Sequence, residues 1–215
     1  MSTQQIEERI ERVFAAKSNA DLIENYQGWA GRYDLDMQSL GYRNPAIISA
    51  LLARNLLQRD MAVLDAGAGT GLVGELLAIL GYGNLTALDL SPEMLELARG
   101  KGIYRGLIKG VLGQPLDFAD GQFAAIVCAG TLTAGHAPPT AFDELLRVAT
   151  RGGLLVFTIG TSAYEQGGFR DKLADLERSN RWHLIERTEL YHPMPLGIQE
   201  ATATTRAFVY RTQSA

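Results

Sequence analysis

Residues 63–74 decide the fold of this chain, and they read Val63-Leu64-Asp65-Ala66-Gly67-Ala68-Gly69-Thr70-Gly71-Leu72-Val73-Gly74. The order is a short apolar strand, a turn rich in glycine and the start of a helix. Glycines let backbone amides come close to a ligand because no side chain lies in the way. The segment therefore predicts a ligand site over this turn.

The spacing of the glycines indicates which ligand is bound. Dinucleotide sites use G-x-G-x-x-G, which after Gly67 and Gly69 requires glycine at position 72, where this chain has Leu72. Asp65 comes directly before the turn, and its carboxylate would repel a pyrophosphate but attract a cation. S-adenosylmethionine carries an ammonium and a sulfonium group. The charge pattern therefore favours this cofactor over NAD.

A second carboxylate supports the same site. The apolar segment of residues 85–90 contains Asp89, which follows Gly67 by about 20 positions, the separation at which an acid reaches a ribose diol in nucleotide-binding folds. Asp89 could instead cap the helix that starts near Ser91. Its distance from Gly67 favours the ribose role.

These residues resemble the class I S-adenosylmethionine-dependent methyltransferases. Residues 65–71 are similar to the first motif of that family, and Asp89 matches its ribose-binding acid. The resemblance extends from about residue 26 to residue 161. It looks closest to the methyltransferase-like proteins related to the one encoded in the Williams-Beuren syndrome region, through residues 29–34, 112–116 and 128–136.

The resemblance implies a set of cofactor-binding residues. It places the methionine end of the cofactor at the glycine turn, the ribose at Asp89 and the adenine against apolar side chains. The full set is Tyr26, Trp29, Tyr33, Asp65, Ala66, Gly67, Gly69, Gly71, Asp89, Leu90, Met94, Leu112, Gly113, Ala129 and Gly130. The small residues Ala129 and Gly130 would leave room for the cofactor and the transferred methyl group.

Two parts of this set have a second interpretation. Many family members have an adenine-binding acid where this chain has Leu112, so backbone groups of Leu112 and Gly113 or the side chain of Gln114 would replace it; an ordinary loop is equally consistent. Tyr26, Trp29 and Tyr33 follow a near-helical spacing that is also typical of a core stripe. Because residues 29–34 resemble the family segment that folds over the cofactor, we favour a lid.

The sequence says less about the residues that would bind the methyl acceptor. Methyl transfer from a sulfonium needs positioning and exclusion of water, and it needs a base only when the acceptor is protonated. His136 is the catalytic candidate, although a solvent-exposed loop histidine is the plainer interpretation. Tyr164, Tyr191 and Met194 are proposed to line the acceptor pocket, and Cys128 is expected in the core.

Composition limits the alternatives. The 215 residues, 47% hydrophobic, predict a single methyltransferase domain (1–215), with a helical cap in residues 1–58 and an α/β core in residues 59–215. The net charge of −4 and the lack of a basic run argue against nucleic-acid binding. One cysteine, no metal-ligand spacing, no signal sequence and no membrane-spanning apolar run predict a soluble cytoplasmic protein without a metal or membrane partner. The oligomeric state stays open.

The hydrophobic pattern predicts a doubly wound, mostly parallel α/β sheet of seven strands with an N-terminal helical cap. We expect strands near 61–66, 84–89, 107–112, 123–129, 153–159, 181–190 and 203–211. Helices are expected near 4–16, 19–30, 45–58, 70–80, 91–99, 138–150 and 171–179. The family resemblance implies that the last strand is antiparallel.

The sequence thus predicts an S-adenosylmethionine-dependent methyltransferase that acts on a small-molecule acceptor and releases S-adenosylhomocysteine. One alternative is a non-catalytic sensor or scaffold that binds either compound. Another is a nicotinamide-dependent dehydrogenase.

Overall fold

The computed structural model describes residues 3–133, 135–197 and 204–213. Within these residues the strands are β1 (Val63–Ala66), β2 (Leu85–Asp89), β3 (Gly106–Lys109), β4 (Phe123–Leu132), β5 (Ala149–Gly160), β6 (Trp182–Arg187) and β7 (Thr205–Thr212). The helices are α1 (Thr3–Phe14), α2 (Asn19–Gln27), α3 (Ala30–Ser39), α4 (Asn44–Asn55), α5 (Leu72–Ile79), α6 (Pro92–Gly100), α7 (Ala141–Val148), α8 (Thr161–Gln166) and α9 (Phe169–Arg178).

The described strands form one seven-stranded sheet in the order β3-β2-β1-β4-β5-β7-β6. Strands β1 to β5 pair in parallel, whereas β7 runs antiparallel to both β5 and β6. The predicted fold class and the antiparallel last strand are therefore confirmed. The strand order reverses on either side of β1, and such a switch point opens a crevice at the carboxyl ends of β1 and β4.

Both faces of the sheet are covered, which explains why β4 reads as a continuous apolar run. Ile126 and Cys128 point into a core cluster on one face, shared with the aromatic side chains of α7 and β6. Ala125 and Val127 point into a second cluster, shared with α4 and α5. Alternating side chains of one strand thus contribute to both cores.

Helices α1, α2 and α3 form the N-terminal cap. Their apolar side chains make a third cluster, and Leu72 and Leu90 from the sheet side pack against it; its buried members are Ile6, Val13, Leu22, Trp29, Met37 and Leu40. The start of α2 follows the predicted capping pair, since Ser18 Oγ accepts a hydrogen bond from the Asp21 N–H at 3.1 Å. The cap closes over the carboxyl edge of the sheet.

Three sequence expectations differ from the structure. The single helix predicted over 19–30 is two helices, because the chain turns at Gly28 and Trp29 before α3 begins. The cap does not include all helices before β1, because α4 packs against the sheet. Helix α8 was not expected at all.

The remaining predicted bounds shift by a few residues. The predicted helix 138–150 is shortened to α7, because residue 149 already belongs to β5, and the predicted strand 107–112 ends at Lys109. Of the predicted final strand, residue 203 and the neighbouring Thr202 lie outside the described residues. No helix in the described part of the chain is long and apolar enough to cross a membrane.

Candidate functional site

The glycine turn lies between β1 and α5 and is fixed by backbone contacts with β2. The N–H groups of Gly67 and Ala68 both donate to the Leu88 carbonyl oxygen, at 2.8 and 3.0 Å. The next amide, of Gly69, donates to Asp89 Oδ2 at 2.7 Å. The turn is thereby held against the end of β2, and the Asp89 carboxylate lies beside it.

The three glycines of the turn have positive φ angles, but each meets a different neighbour. A Cβ on Gly67 (φ +75°) would lie 2.3 Å from the hydroxyl oxygen of Thr131. A Cβ on Gly71 (φ +89°) would contact the Tyr104 ring at 3.0 Å. A Cβ on Gly69 (φ +55°) would meet nothing within 4 Å. Only Gly69 therefore leaves open space above the turn where a ligand can approach.

Asp89 joins the turn to the next helix. Its Oδ1 accepts the Ser91 N–H at 2.9 Å while its Oδ2 accepts the Gly69 N–H. Burial raises the pKa of Asp89, and these backbone hydrogen bonds oppose the rise. Each carboxylate oxygen has a second lone pair, so the group can still accept hydrogen bonds from a diol.

Asp65 lies beneath the turn, outside the cavity lining, and it is 1% exposed. Tyr104 donates its hydroxyl to Asp65 Oδ2 at 2.6 Å, while Asp65 Oδ1 is buried without a hydrogen-bond partner. Burial raises the pKa of Asp65 to about 7, against the opposing effect of the Tyr104 hydrogen bond. The carboxylate that the sequence places near a ligand cation is thus a deeply buried group that titrates near neutral pH.

The cap contributes aromatic side chains above the turn. The Tyr26 hydroxyl and His136 Nε2 are 2.9 Å apart, and the Tyr26 ring is stacked with Trp29 and packs edge-on against Tyr33. Burial raises the pKa values of Tyr26 and Tyr33, so both phenols keep their protons. Trp29 is anchored by its indole N–H, which donates to Asp36 Oδ2 at 2.9 Å. The segment predicted as a lid therefore lies over the turn.

A polar contact ties the cap to the turn. Thr70, in the turn, donates its hydroxyl to Asp34 Oδ1 of α3. Lys101 Nζ lies 2.9 Å from Asp34 Oδ2 and 2.9 Å from Glu75 Oε2, so it bridges α3 to α5. These contacts hold α3 against the elements on either side of the ligand site.

A narrow cavity of about 90 Å³ lies between the turn and the cap. Predicted residues that line it are Tyr26, Tyr33, Gly67, Gly69, Asp89, Leu90, Met94, Leu112, Ala129, Gly130 and His136. Trp29, Asp65, Ala66, Gly71 and Gly113 are predicted residues that lie outside the lining. Ligand pockets usually measure about 300–1,000 Å³, so this cavity is small, and part of its lining is shared with a larger cavity.

A second, larger cavity of about 520 Å³ continues from the first between α1, α3 and the ends of β4 and β5. The two cavities share a wall made of Tyr26, Tyr33, Tyr42, Gly130 and His136. Met194, a predicted acceptor-pocket residue, lines the larger cavity. Tyr191 stands behind the wall and donates to Asn44 Oδ1 at 3.0 Å, whereas Tyr164 packs against Phe208 in the core.

Several site residues were missed by sequence reasoning. Tyr104 lies in the loop before β3, and its ring fills the space beside Gly71 and Gly74. The glycine at position 74 is a sign of this close packing, but the sequence does not show which residue packs there. Tyr42 gives the shared wall a phenol whose pKa burial raises to about 12. Cys128 is a buried core residue whose thiol pKa burial raises to about 12. Among the described residues, no cluster of three or more His, Cys, Asp or Glu could hold a metal ion.

Comparisons with known proteins agree with this geometry. Residues 64–157 match the methyltransferase domain family. The human methyltransferase-like protein 27 is 35% identical over 181 residues, which are 80% of this chain and 73% of that protein. An uncharacterized protein of Mycobacterium tuberculosis is 35% identical over 135 residues, 61% of this chain, and the match spans about half (47%) of that relative.

A solved structure shows the same fold. One chain of the complex between the Haloferax volcanii Trm112 methyltransferase activator and a methyltransferase superposes with a TM-score of 0.69. The match covers 90% of this chain and 98% of that chain, at 18% sequence identity.

Proposed function

Because the chain belongs to the class I S-adenosylmethionine-dependent methyltransferase family, whose cofactor is S-adenosylmethionine, we propose that it methylates a small-molecule acceptor. The observation that carries the proposal is the pairing of the two cavities. One lies over the glycine turn and Asp89, and the other extends from it past a shared wall. A cofactor and an acceptor can thus meet at that wall.

The residues over the turn fit this cofactor. The open space at Gly69 allows close approach of a ligand to the backbone, and the Asp89 carboxylate beside it is suited to a ribose diol. Leu90, Met94 and Leu112 supply an apolar surface for adenine. Asp65 Oδ1 is unpartnered below the turn, and a cationic ligand group above it would favour the ionised form of this carboxyl group.

When bound, the cofactor supplies a methyl group whose bond to the sulfonium sulfur breaks, with the electron pair left on sulfur, as the acceptor lone pair forms the new bond. The chain's own residues position the acceptor and exclude water. The rings of Tyr26, Trp29 and Tyr33 cover the site, which keeps the reaction dry. His136 lies in the shared wall and can take a proton from the acceptor at Nε2, in place of its contact with the Tyr26 hydroxyl.

Two finer assignments are part of this proposal. The match to a human methyltransferase-like protein over most of both chains supports the narrower subgroup named from the sequence. The second cavity supports catalysis over a binding-only sensor, because a sensor has no need of about 520 Å³ of space beside the cofactor.

Titration calorimetry with S-adenosylhomocysteine tests cofactor binding directly. The wild-type chain is expected to bind this compound, and Asp89→Asn is expected to weaken binding about tenfold to a hundredfold, because hydrogen bonds to a charged acceptor contribute about 1.5–3 kcal/mol. Asp60→Asn, which removes an exposed carboxylate from the opposite end of β1, is the matched control and should leave the affinity unchanged.

Three results would contradict parts of this proposal. If the folded wild-type chain shows no heat on addition of S-adenosylhomocysteine or S-adenosylmethionine, the cofactor site is misplaced. If Asp89→Asn binds as well as Asp60→Asn, Asp89 is not a ligand-binding residue. If both compounds bind but S-adenosylmethionine is never consumed with a metabolite extract as acceptor source, the binding-only alternative is favoured.

A further inference from the structure

The second cavity has walls of a definite chemical character. Five aromatic rings line it, from Phe14, Tyr26, Trp29, Tyr33 and Tyr42. Such rings favour apolar groups, and their faces also attract cations. The cavity is therefore suited to a molecule with an apolar body, with or without a positive charge.

Acidic side chains give the cavity its charge. Glu7 and Glu11 both line it, and because they are four positions apart on α1 they share one face of that helix. Glu7 Oε1 lies 3.6 Å from the point that a Cβ on Gly197 would occupy, which places this carboxylate at the rim beside Met194. Among the described lining residues there is no Lys or Arg.

Two neighbouring arginines share one acid, Asp36, behind the cavity lining. Arg9 lies on the same helix, and its guanidinium is 3.7 Å from the carboxylate of Asp36. Arg32 lies 3.6 Å from the other oxygen of Asp36. Neither arginine lines the cavity. Among the described residues that line the cavity, the two glutamates are the acidic ones.

We infer that the methyl acceptor is an amine with an apolar body, whose cationic nitrogen is attracted by Glu7 and Glu11 and whose body packs among the aromatic rings. This inference rests on the proposed function, because it assigns the acceptor class of the same site. Carboxylate and phosphate acceptors are disfavoured, because like charges facing each other in an interface cost binding energy. Glu7 and Glu11 attract the ammonium into the cavity from its α1 side. A nitrogen that then reaches the shared wall must lose one proton before it has a lone pair for the methyl group, and His136 Nε2 in that wall can take this proton.

Matched probes separate charge from shape. We would measure the binding of 3-phenylpropylamine, 3-phenylpropanol and 3-phenylpropanoate by calorimetry to the chain saturated with S-adenosylhomocysteine, which cannot react. The amine is expected to bind at least about tenfold more tightly than the carboxylate. Glu7→Gln and Glu11→Gln should each reduce this preference about two- to fivefold, as expected for partly exposed charges. Glu8→Gln removes the same charge from the same helix away from the cavity and should leave the preference intact.

The outcomes distinguish this inference from the function on which it rests. A carboxylate probe that binds as tightly as the amine overturns it, and so does failure of all three probes to bind the saturated chain. A preference for the amine that survives the double substitution of Glu7 and Glu11 also overturns it. If S-adenosylhomocysteine itself does not bind, the proposed function fails instead. Methylation of the amine probe alone, detected by mass spectrometry with S-adenosylmethionine present, would support both.

Discussion

Replacing Asp65 by Asn should remove a large part of the pH dependence of stability. The pKa of Asp65 is raised from its ordinary value of 3.8 to about 7 by burial. The folded state therefore binds a proton that the unfolded state has released, so the stabilisation is complete below about pH 4 and is lost as the pH rises through about 7. At about 1.4 kcal/mol per pH unit, the full effect is about 4 kcal/mol, and more than half of it falls between pH 5 and pH 8.

The measurement is urea unfolding of the wild type and Asp65→Asn at several pH values from 5 to 8, followed by the fluorescence of the two buried tryptophans, Trp29 and Trp182. The difference between the two unfolding free energies should change by about 2–3 kcal/mol across this range in favour of the variant at high pH. The amide placed beside Tyr104 shifts the whole curve but does not change its slope. Asp117→Asn, at an exposed position, is the control. Parallel curves for the wild type and Asp65→Asn would refute a buried carboxylate that titrates near neutral pH.

Other predictions follow from the turn, the cap and the shared wall. Gly67→Ala should lower the free energy of unfolding, measured in urea, by about 2–4 kcal/mol, because the new Cβ would clash with Thr131. Gly69→Ala should lower it by only about 1–2 kcal/mol, through backbone strain, because its Cβ meets open space. The Gly69 variant should instead bind S-adenosylhomocysteine more weakly in calorimetry. Asp34→Asn should speed hydrogen exchange of the α3 amides more than Glu75→Gln, since only Asp34 also accepts from the turn; equal rates would contradict this. His136→Gln should lower turnover at least about tenfold without changing S-adenosylhomocysteine affinity, and a loss of affinity instead would assign it to cofactor binding.

The fold was predictable because its signals are local. The apolar run of β4 and the glycine turn after β1 each lie within about a dozen residues, and alternation of strand and helix then restricts the topology. Helix α3 was not predictable in the same way. Its sequence contains Gly31 and two aspartates, and its position depends on side-chain contacts with residues far along the chain, such as the contact of Asp34 with Lys101.

Some residues of the candidate site could also be placed from local sequence signals, and others could not. Asp89 could be placed beside the turn from spacing alone, because the length of a strand–helix–strand unit fixes that distance. The surroundings of Asp65 could not be predicted, because the Tyr104 side chain that donates to it lies in a loop whose sequence has no periodic pattern. The same ring explains why position 71 must be glycine, a requirement that the motif attributes to the ligand. A glycine motif therefore predicts where a ligand binds better than it predicts which glycine contacts it.

The residues shared by the two cavities include one side chain suited to accept a proton. The shared residues are Tyr26, Tyr33, Tyr42, Gly130 and His136, and they lie where a cofactor and an acceptor would be adjacent. Gly130 has no side chain, and burial raises the pKa of each of the three tyrosines, so their phenols keep their protons and cannot act as bases near neutral pH. An imidazole is the remaining group, and its Nε2 already lies 2.9 Å from a phenol that can donate to it. If a base is used at all, we propose His136 among the residues of this wall, with Tyr26 orienting the ring.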